Sequence, residues 1–99
     1  MKYFFYKLNP PRPTFTSDLN EAEVKIMENH VAYWTELANK RTAVAFGVVL
    51  DPKGGWGAAI VEIEQDTDIQ SIRQDDPAIL SGLGFSADIY PMPRVILRT

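Results

Sequence analysis

Three stretches of apolar residues in the first two-thirds of the chain predict β-strands. KYFFYKL (2–8) is rich in aromatic residues and stops at a proline-rich segment, which predicts a strand followed by a stiff loop. AVAFGVVL (43–50) is continuously apolar, which favours a central strand of a sheet. The turn sequence DPKGG (51–55) joins it to WGAAIVEIE (56–64), whose alternation predicts the antiparallel partner in a hairpin.

A fourth strand is predicted near the end of the chain, after the loop SGLGF (81–85). ADIYPMPRVILR (87–98) has strand composition but contains Pro91 and Pro93, which cannot donate ladder hydrogen bonds. This strand is therefore expected at a sheet edge or in a bulge.

Helical spacing separates the first two predicted strands. Asn20, followed three residues later by Glu23, predicts a capping box at the start of a helix that runs to about Lys40. Thr16, Ser17 and Asp18 are alternative caps. Steps of three and four residues predict one buried stripe made of Val24, Met27, Val31, Trp34 and Ala38.

A shorter helix is expected to begin near residues 66–68 and to end before Pro77, because proline disfavours helical geometry at Asp76. The predicted order is then βαββαβ, an α+β fold of the ferredoxin-like type, in a single domain of residues 1–99. Both helices would cover one face of the sheet. Large apolar residues exceed what that face can bury, which predicts a homodimer with stacked sheets; the residues are Phe4, Tyr6, Val44, Phe46, Ala59, Val61, Tyr90 and Val95.

Composition narrows the functional classes. A formal charge of −3 with dispersed cations disfavours nucleic-acid binding, and no apolar run approaches the roughly 20 residues of a membrane span. One histidine and no cysteine cannot build a structural zinc site, so we expect neither a metal nor a cofactor. The glycines of DPKGG fit a hairpin turn better than a phosphate loop. With no export signal in the N-terminal residues, a cytoplasmic protein is expected.

The single histidine, His30, is the main candidate for chemistry. At 100° per residue it lies on the flank of the apolar helix face, where a buried imidazole needs a hydrogen-bond partner. One interpretation is a structural histidine bonded to a backbone carbonyl. The other is a pair with Asp76, whose backbone direction is restricted by Pro77. Asp76 could equally be a turn residue that ends a helix.

Several segments in order resemble the YCII-related family: the PPRPTF loop, HVAYW, FGVVLDPKGGWG, DPAI with GLG, and IYPMPR. The resemblance implies a ferredoxin-like, dimeric α+β barrel with a His–Asp dyad in a cleft, which maps onto His30 and Asp76. One branch of the family is linked to removal of chloride from a chlorinated hydroxyquinol-type ring. Relatives often have Gly-Pro where this chain has Gly47-Val48, so the cleft wall there is expected to differ.

Together these features predict an acid–base pair acting on a small molecule, with an aromatic compound as one candidate, by proton-coupled elimination or isomerisation. His30 would exchange the proton, because imidazole titrates near neutral pH, and Asp76 would orient it. As substrate contacts we expect Trp34, Phe46 and Trp56 around a planar ring and Arg12 on an anionic group. The alternative is a non-catalytic dimeric small-ligand-binding or accessory module.

Overall fold

A computed structural model describes residues 1–99. In chain order the elements are β1 (Lys2–Asn9), α1 (Phe15–Asp18), α2 (Glu21–Asn39), β2 (Ala43–Val49), β3 (Trp56–Ile63), α3 (Gln70–Asp75), α4 (Pro77–Leu80) and β4 (Ser86–Met92). The strands form one open antiparallel sheet in the order β2-β3-β1-β4. The protein is therefore a small α+β domain. None of its helices has the length and apolarity needed to cross a membrane.

The prediction that β2 is a central strand is wrong, because β2 lies at the edge of the sheet. Its continuous apolarity has a different explanation. Phe46 and Val48 point to the helix side at the mouth of a cavity, and both stay partly exposed, at 37% and 64%. An edge strand beside a cavity can therefore be as continuously apolar as a central strand, although most of β2 is exposed.

Helix α2 begins as predicted. The Asn20 side chain accepts a hydrogen bond from the Glu23 N–H, and the Glu23 carboxylate accepts one from the Asn20 N–H. This reciprocal capping box satisfies two of the donors that every helix start leaves unpaired. Glu23 is 4% exposed, so its carboxylate also ties the start of α2 to the surrounding structure.

The buried line of α2 differs from the predicted stripe. Val24 and Val31 are about half exposed, at 47% and 50%, whereas Trp34 is buried. The residues that face the core are Ile26, Met27, His30, Tyr33, Trp34, Leu37 and Ala38. His30 is therefore in the middle of the buried line and not on its flank. A pattern of hydrophobic residues does not predict this buried line, because one of its members, His30, is polar and is buried through its contact with Asp76.

The two faces of the sheet are divided by the strand register. Tyr6 pairs with Ala59, and the alternation along each strand puts Phe4, Leu8 and Val61 on the same face, against the helices. The opposite face carries a row of partly exposed apolar side chains, namely Ala45, Ile60, Phe5 and Tyr90, with Trp56 packed edge-on against Phe5 at 6.2 Å. Five of the eight residues counted as surplus thus lie on the helix side (Phe4, Tyr6, Phe46, Ala59 and Val61). Tyr90 lies on the open face as expected, and the residues beside it there (Phe5, Ile60 and Ala45) are not among the eight.

Candidate functional site

Asp76 lies at the junction between two short helices. It ends α3 and caps α4, with extended backbone angles (φ −65°, ψ 121°) as expected for a residue before proline. Its side chain accepts a hydrogen bond from the Ala78 N–H at 3.0 Å. The carboxyl group is completely buried, which makes its hydrogen-bond partners decisive for its charge.

Four donors surround the Asp76 carboxylate. Oδ1 contacts Nδ1 of His30 at 2.8 Å as well as the Ala78 N–H. Oδ2 accepts from the Tyr6 hydroxyl at 2.9 Å and from Nε1–H of Trp34 at 3.0 Å. Each oxygen thus accepts two hydrogen bonds, and no buried side-chain polar atom in the protein lacks a partner. Such a shell can stabilise a buried carboxylate without a permanent cation beside it.

The pKa values of this cluster follow from burial and hydrogen bonding. Burial by itself would raise the pKa of Asp76, but the hydrogen bond and the charge of His30, together with the hydrogen bonds from Trp34 and Ala78, lower it below the ordinary value. Burial, followed by the charge of Asp76, raises the pKa of Tyr6. Tyr6 therefore remains protonated and donates, while Asp76 remains an acceptor.

His30 connects this cluster to the surface of the protein. Its side chain is 15% exposed, and the ring lies 6.3 Å from that of Trp34. Since Nδ1 is bonded to Asp76, the other ring nitrogen, Nε2, is the one left for another partner. His30 also lines a cavity of about 300 Å³ that opens between α2, β2 and the proline-rich loop.

The cavity is almost entirely apolar. Its side chains come from β1, α1, α2, β2 and the loop before β4, and they include Leu8, Phe15, Met27, Val31, Phe46, Val48 and Phe85. His30 is its only ionisable side chain, and Thr16 supplies its only hydroxyl. A recess of about 20 Å³, the size of one water molecule, lies beside His30 and is bordered by Tyr6, Trp34 and Phe46. The site is thus suited to an apolar guest with a single polar group.

Close backbone contacts hold the proline-rich loop as one wall of the cavity. A side chain at Gly54, where φ is +131°, would collide with the Pro13 backbone at 2.8 Å. One at Gly55 would meet the Thr16 methyl group at 2.8 Å. The β2–β3 turn can therefore nest against the loop only because these positions are glycine.

Arg12 fastens the same loop to the start of α2. Its guanidinium donates two hydrogen bonds of 2.7 Å to the Glu23 carboxylate and further bonds to Asp18. It also lies over the Phe15 ring, 5.4 Å from the centroid. These contacts use Arg12 within the loop, and it is not among the residues that line the cavity.

Apart from Arg12, the predicted site residues fall into three groups in the structure. It brings His30 and Asp76 into contact, 46 residues apart in sequence. Phe46 and Trp56 border the cavity, although the Trp56 ring also packs below Lys7 on the opposite face of the sheet. Trp34 lies behind His30, bonded to Asp76.

Sequence reasoning did not identify Tyr6 or Thr16. Tyr6 belongs to an alternating strand, in which nothing distinguishes a hydrogen-bonding tyrosine from a packing one. Thr16 was considered only as a helix cap. The one-turn helices α1 and α4 were not predicted either, and α4 gives Asp76 a capping role in addition to its contact with His30.

No group of three or more His, Asp or Glu side chains is arranged to hold a metal ion.

Comparison with protein families adds to this geometry. The model of the YCII-related domain matches residues 1–93, nearly the whole chain. The chain belongs to the YCII-related family. No curated protein matches this YCII-related sequence.

Proposed function

We propose that this YCII-related protein binds a small, largely apolar molecule in the cavity beside His30 and exchanges a proton with it through Nε2. The observation that carries the proposal is the 2.8 Å contact between Nδ1 of His30 and the buried Asp76. It supports a ring with Nδ1 protonated and with the Nε2 lone pair available as a base. Proton-coupled elimination or isomerisation is the corresponding reaction class.

The charge of the lining favours an uncharged ligand. A buried carboxylate or phosphate would need a permanent cation, and no lysine or arginine lines the cavity. Arg12, which we expected to hold an anionic group, is occupied by Asp18 and Glu23, so we assign it to holding the loop instead. Phe46 would contact the apolar part of a planar ring, with Trp56 at the border and Trp34 behind His30.

Binding without chemistry is the second candidate function. It is favoured by the lack of a second ionisable side chain in the cavity, because elimination usually needs both a base and an acid. In that case the His30–Asp76 pair would only hold α2 against α4. The two functions differ in whether bound ligand exchanges a proton.

His30→Ala is expected to abolish ligand-dependent proton exchange while the protein stays folded. Neutral phenols and benzoates of equal size would be added to ¹⁵N-labelled protein, and exchange of ligand carbon-bound hydrogens with D₂O would be followed by NMR. We expect the phenols to bind, the benzoates not to bind, and the exchange to fall by about 10²-fold or more in the variant.

Asn29→Ala provides the matched control, since Asn29 is the exposed neighbour of His30 on α2 and does not line the cavity. It should bind and exchange as the unmodified protein does. Binding of phenols without exchange in the unmodified protein would favour the binding module. If neither the phenols nor the benzoates bind, the neutral-ligand proposal is contradicted.

We also propose that the domain is ferredoxin-like and forms a homodimer through its open sheet face. The strand order β2-β3-β1-β4 supports the fold assignment. The row of apolar side chains on the open face supports the dimer. Two of its members, Phe5 and Tyr90, stack with ring centroids 6.3 Å apart, and Tyr90 is 52% exposed. An apolar surface of this kind is typical of an interface between subunits.

Ile60→Glu is expected to convert the dimer to a monomer, since Ile60 pairs with both Phe5 and Ala45 near the centre of the open face. Analytical ultracentrifugation would measure the mass of both forms. Val24→Glu adds the same charge on an exposed apolar position of α2, away from the sheet, and should leave the dimer intact. An unmodified protein that sediments as a monomer at about 100 μM would exclude the dimer, since a stable homodimer binds far more tightly than that.

A further inference from the structure

Two side chains with no role so far in the proposed reaction donate hydrogen bonds to the second oxygen of Asp76. Oδ2 accepts from the Tyr6 hydroxyl and from Nε1–H of Trp34, while His30 is bonded to Oδ1. Tyr6 and Trp34 are both 1% exposed, and their rings lie 4.9 Å apart. The two donors are therefore held rigidly by core packing from different elements, β1 and α2.

These donors act electrostatically on the Asp76 carboxylate. Each of them points the positive end of its dipole at the carboxylate, which stabilises the anion and lowers its attraction for a further proton. With fewer donors, the same carboxylate would draw positive charge onto His30 more strongly. The effect is large only where water is excluded, and Asp76 is fully buried.

We propose that Tyr6 and Trp34 are positioning residues that act through Asp76 and tune the proton affinity of His30. The proposal rests on the proposed proton transfer, because a base that is already protonated cannot accept a proton from the ligand. Without the two donors, the carboxylate would hold a proton on His30 more strongly, and Nε2 would be a less available base.

Other ionisable groups near the pair are few. On α2, the Tyr33 hydroxyl donates to the Ile72 carbonyl, and burial, with the charges of Asp75 and Asp76, raises the pKa of Tyr33 to about 12. On α3, Arg73 and Asp75 are exposed. The helix-facing sides of β2 and β3 and the whole of α4 contain no charged residue.

Tyr6→Phe tests this role with the smallest possible change, the loss of one hydroxyl group. His30 is the only histidine, so its ring signals in an NMR titration of the full chain are unambiguous. We expect its titration midpoint to rise by about half a pH unit or more in the variant, because a hydrogen bond to an ionised group is lost. The ¹⁵N shifts should still show Nδ1 as the protonated nitrogen of the neutral ring.

Tyr33→Phe is the matched control. It removes a hydroxyl from a tyrosine that also packs against Trp34, at 5.9 Å, but that is bonded to a backbone carbonyl and not to Asp76. It should leave the His30 midpoint within about 0.2 pH units of the original, since a neutral hydroxyl that does not bond to Asp76 contributes little. An equal shift in Tyr6→Phe and Tyr33→Phe would overturn the proposal by showing a general packing effect.

Trp34→Phe provides an independent second variant, in which the other donor is lost and an aromatic ring is kept. It should also raise the midpoint. An unchanged or lower midpoint in a folded Tyr6→Phe protein would overturn the role of Tyr6, and the same result in Trp34→Phe would overturn that of Trp34. The titration needs no ligand. If the midpoint rises but no ligand exchanges protons, the tuning is upheld and the proposed function fails.

Discussion

Asp76→Asn is expected to lower the free energy of unfolding by about 3 kcal/mol, because it leaves a buried donor facing another donor. Each Asp76 oxygen accepts two hydrogen bonds, so the new amide NH₂ must face one of these two pairs of donors. On one side the Tyr6 hydroxyl can turn, but Nε1–H of Trp34 cannot. On the other side His30 can change tautomer, but the Ala78 N–H cannot. Urea denaturation at pH 7 measures the loss.

The matched control for this substitution is Asp75→Asn. Asp75 is the adjacent residue, carries the same charge and is exposed, so its loss should change stability by less than about 0.5 kcal/mol. Similar losses in the two variants would contradict the account of Asp76 as a buried, fully bonded carboxylate.

The pH dependence of stability gives a second check on Asp76. Its pKa is lowered in the folded protein, so its contribution to stability is complete above its unfolded value of about 3.9 and is lost as pH falls through the folded value. The asparagine variant has no such group. The difference in stability between the two proteins should therefore narrow on going from pH 7 to the most acidic conditions, and a constant difference would show that Asp76 does not ionise.

Trp34→Ala is expected to lower the free energy of unfolding by about 4 kcal/mol, since it removes the largest fully buried side chain. The Trp34 ring packs between those of Tyr6 and Tyr33, with centroids 4.9 and 5.9 Å away. The change leaves a cavity among rigid aromatic neighbours and also deprives Asp76 of one donor. Thermal and urea unfolding followed by circular dichroism would measure the effect.

Trp56→Ala is the natural comparison, because the chain has only two tryptophans. Trp56 is partly exposed and its indole N–H bonds to Asp51 in the β2–β3 turn. Trp56→Ala should therefore lower the free energy of unfolding clearly less than Trp34→Ala does. Equal losses would mean that the core does not depend on Trp34 in the way its burial indicates.

Features that depend on neighbouring residues were predictable from the sequence. The capping box at Asn20 was predicted because its two partners are three residues apart, and the hairpin was predicted because its turn is short and rich in glycine. The position of β2 was not predictable in this way. Whether a strand is central or at an edge depends on the order in which distant strands pair, and apolar residues beside a cavity look like those of a central strand.

The candidate site illustrates the same division. His30 was noticed because it is the only histidine, and Asp76 because a proline follows it. Sequence reasoning had no means of finding Tyr6, since a tyrosine that bonds to a buried carboxylate has the same local pattern as one that only packs. The buried line of α2 differs from the predicted stripe for a related reason. The contact with Asp76 allows His30, a polar side chain, to lie in the middle of that line.

The amino-acid sequence by itself determined the positions of the four strands, the long helix with its cap, the family and the two residues with candidate chemistry. The last strand is shorter than predicted, since β4 ends at Met92 and not at residue 98. Only the tertiary structure decided that these two residues are in contact, that four donors surround the carboxylate, and that the cavity beside them has no ionisable side chain other than His30. The physical reason is distance along the chain. Local elements depend on backbone preferences within a few residues, whereas the Asp76 shell joins β1, α2 and α4, which are brought together only when the core forms.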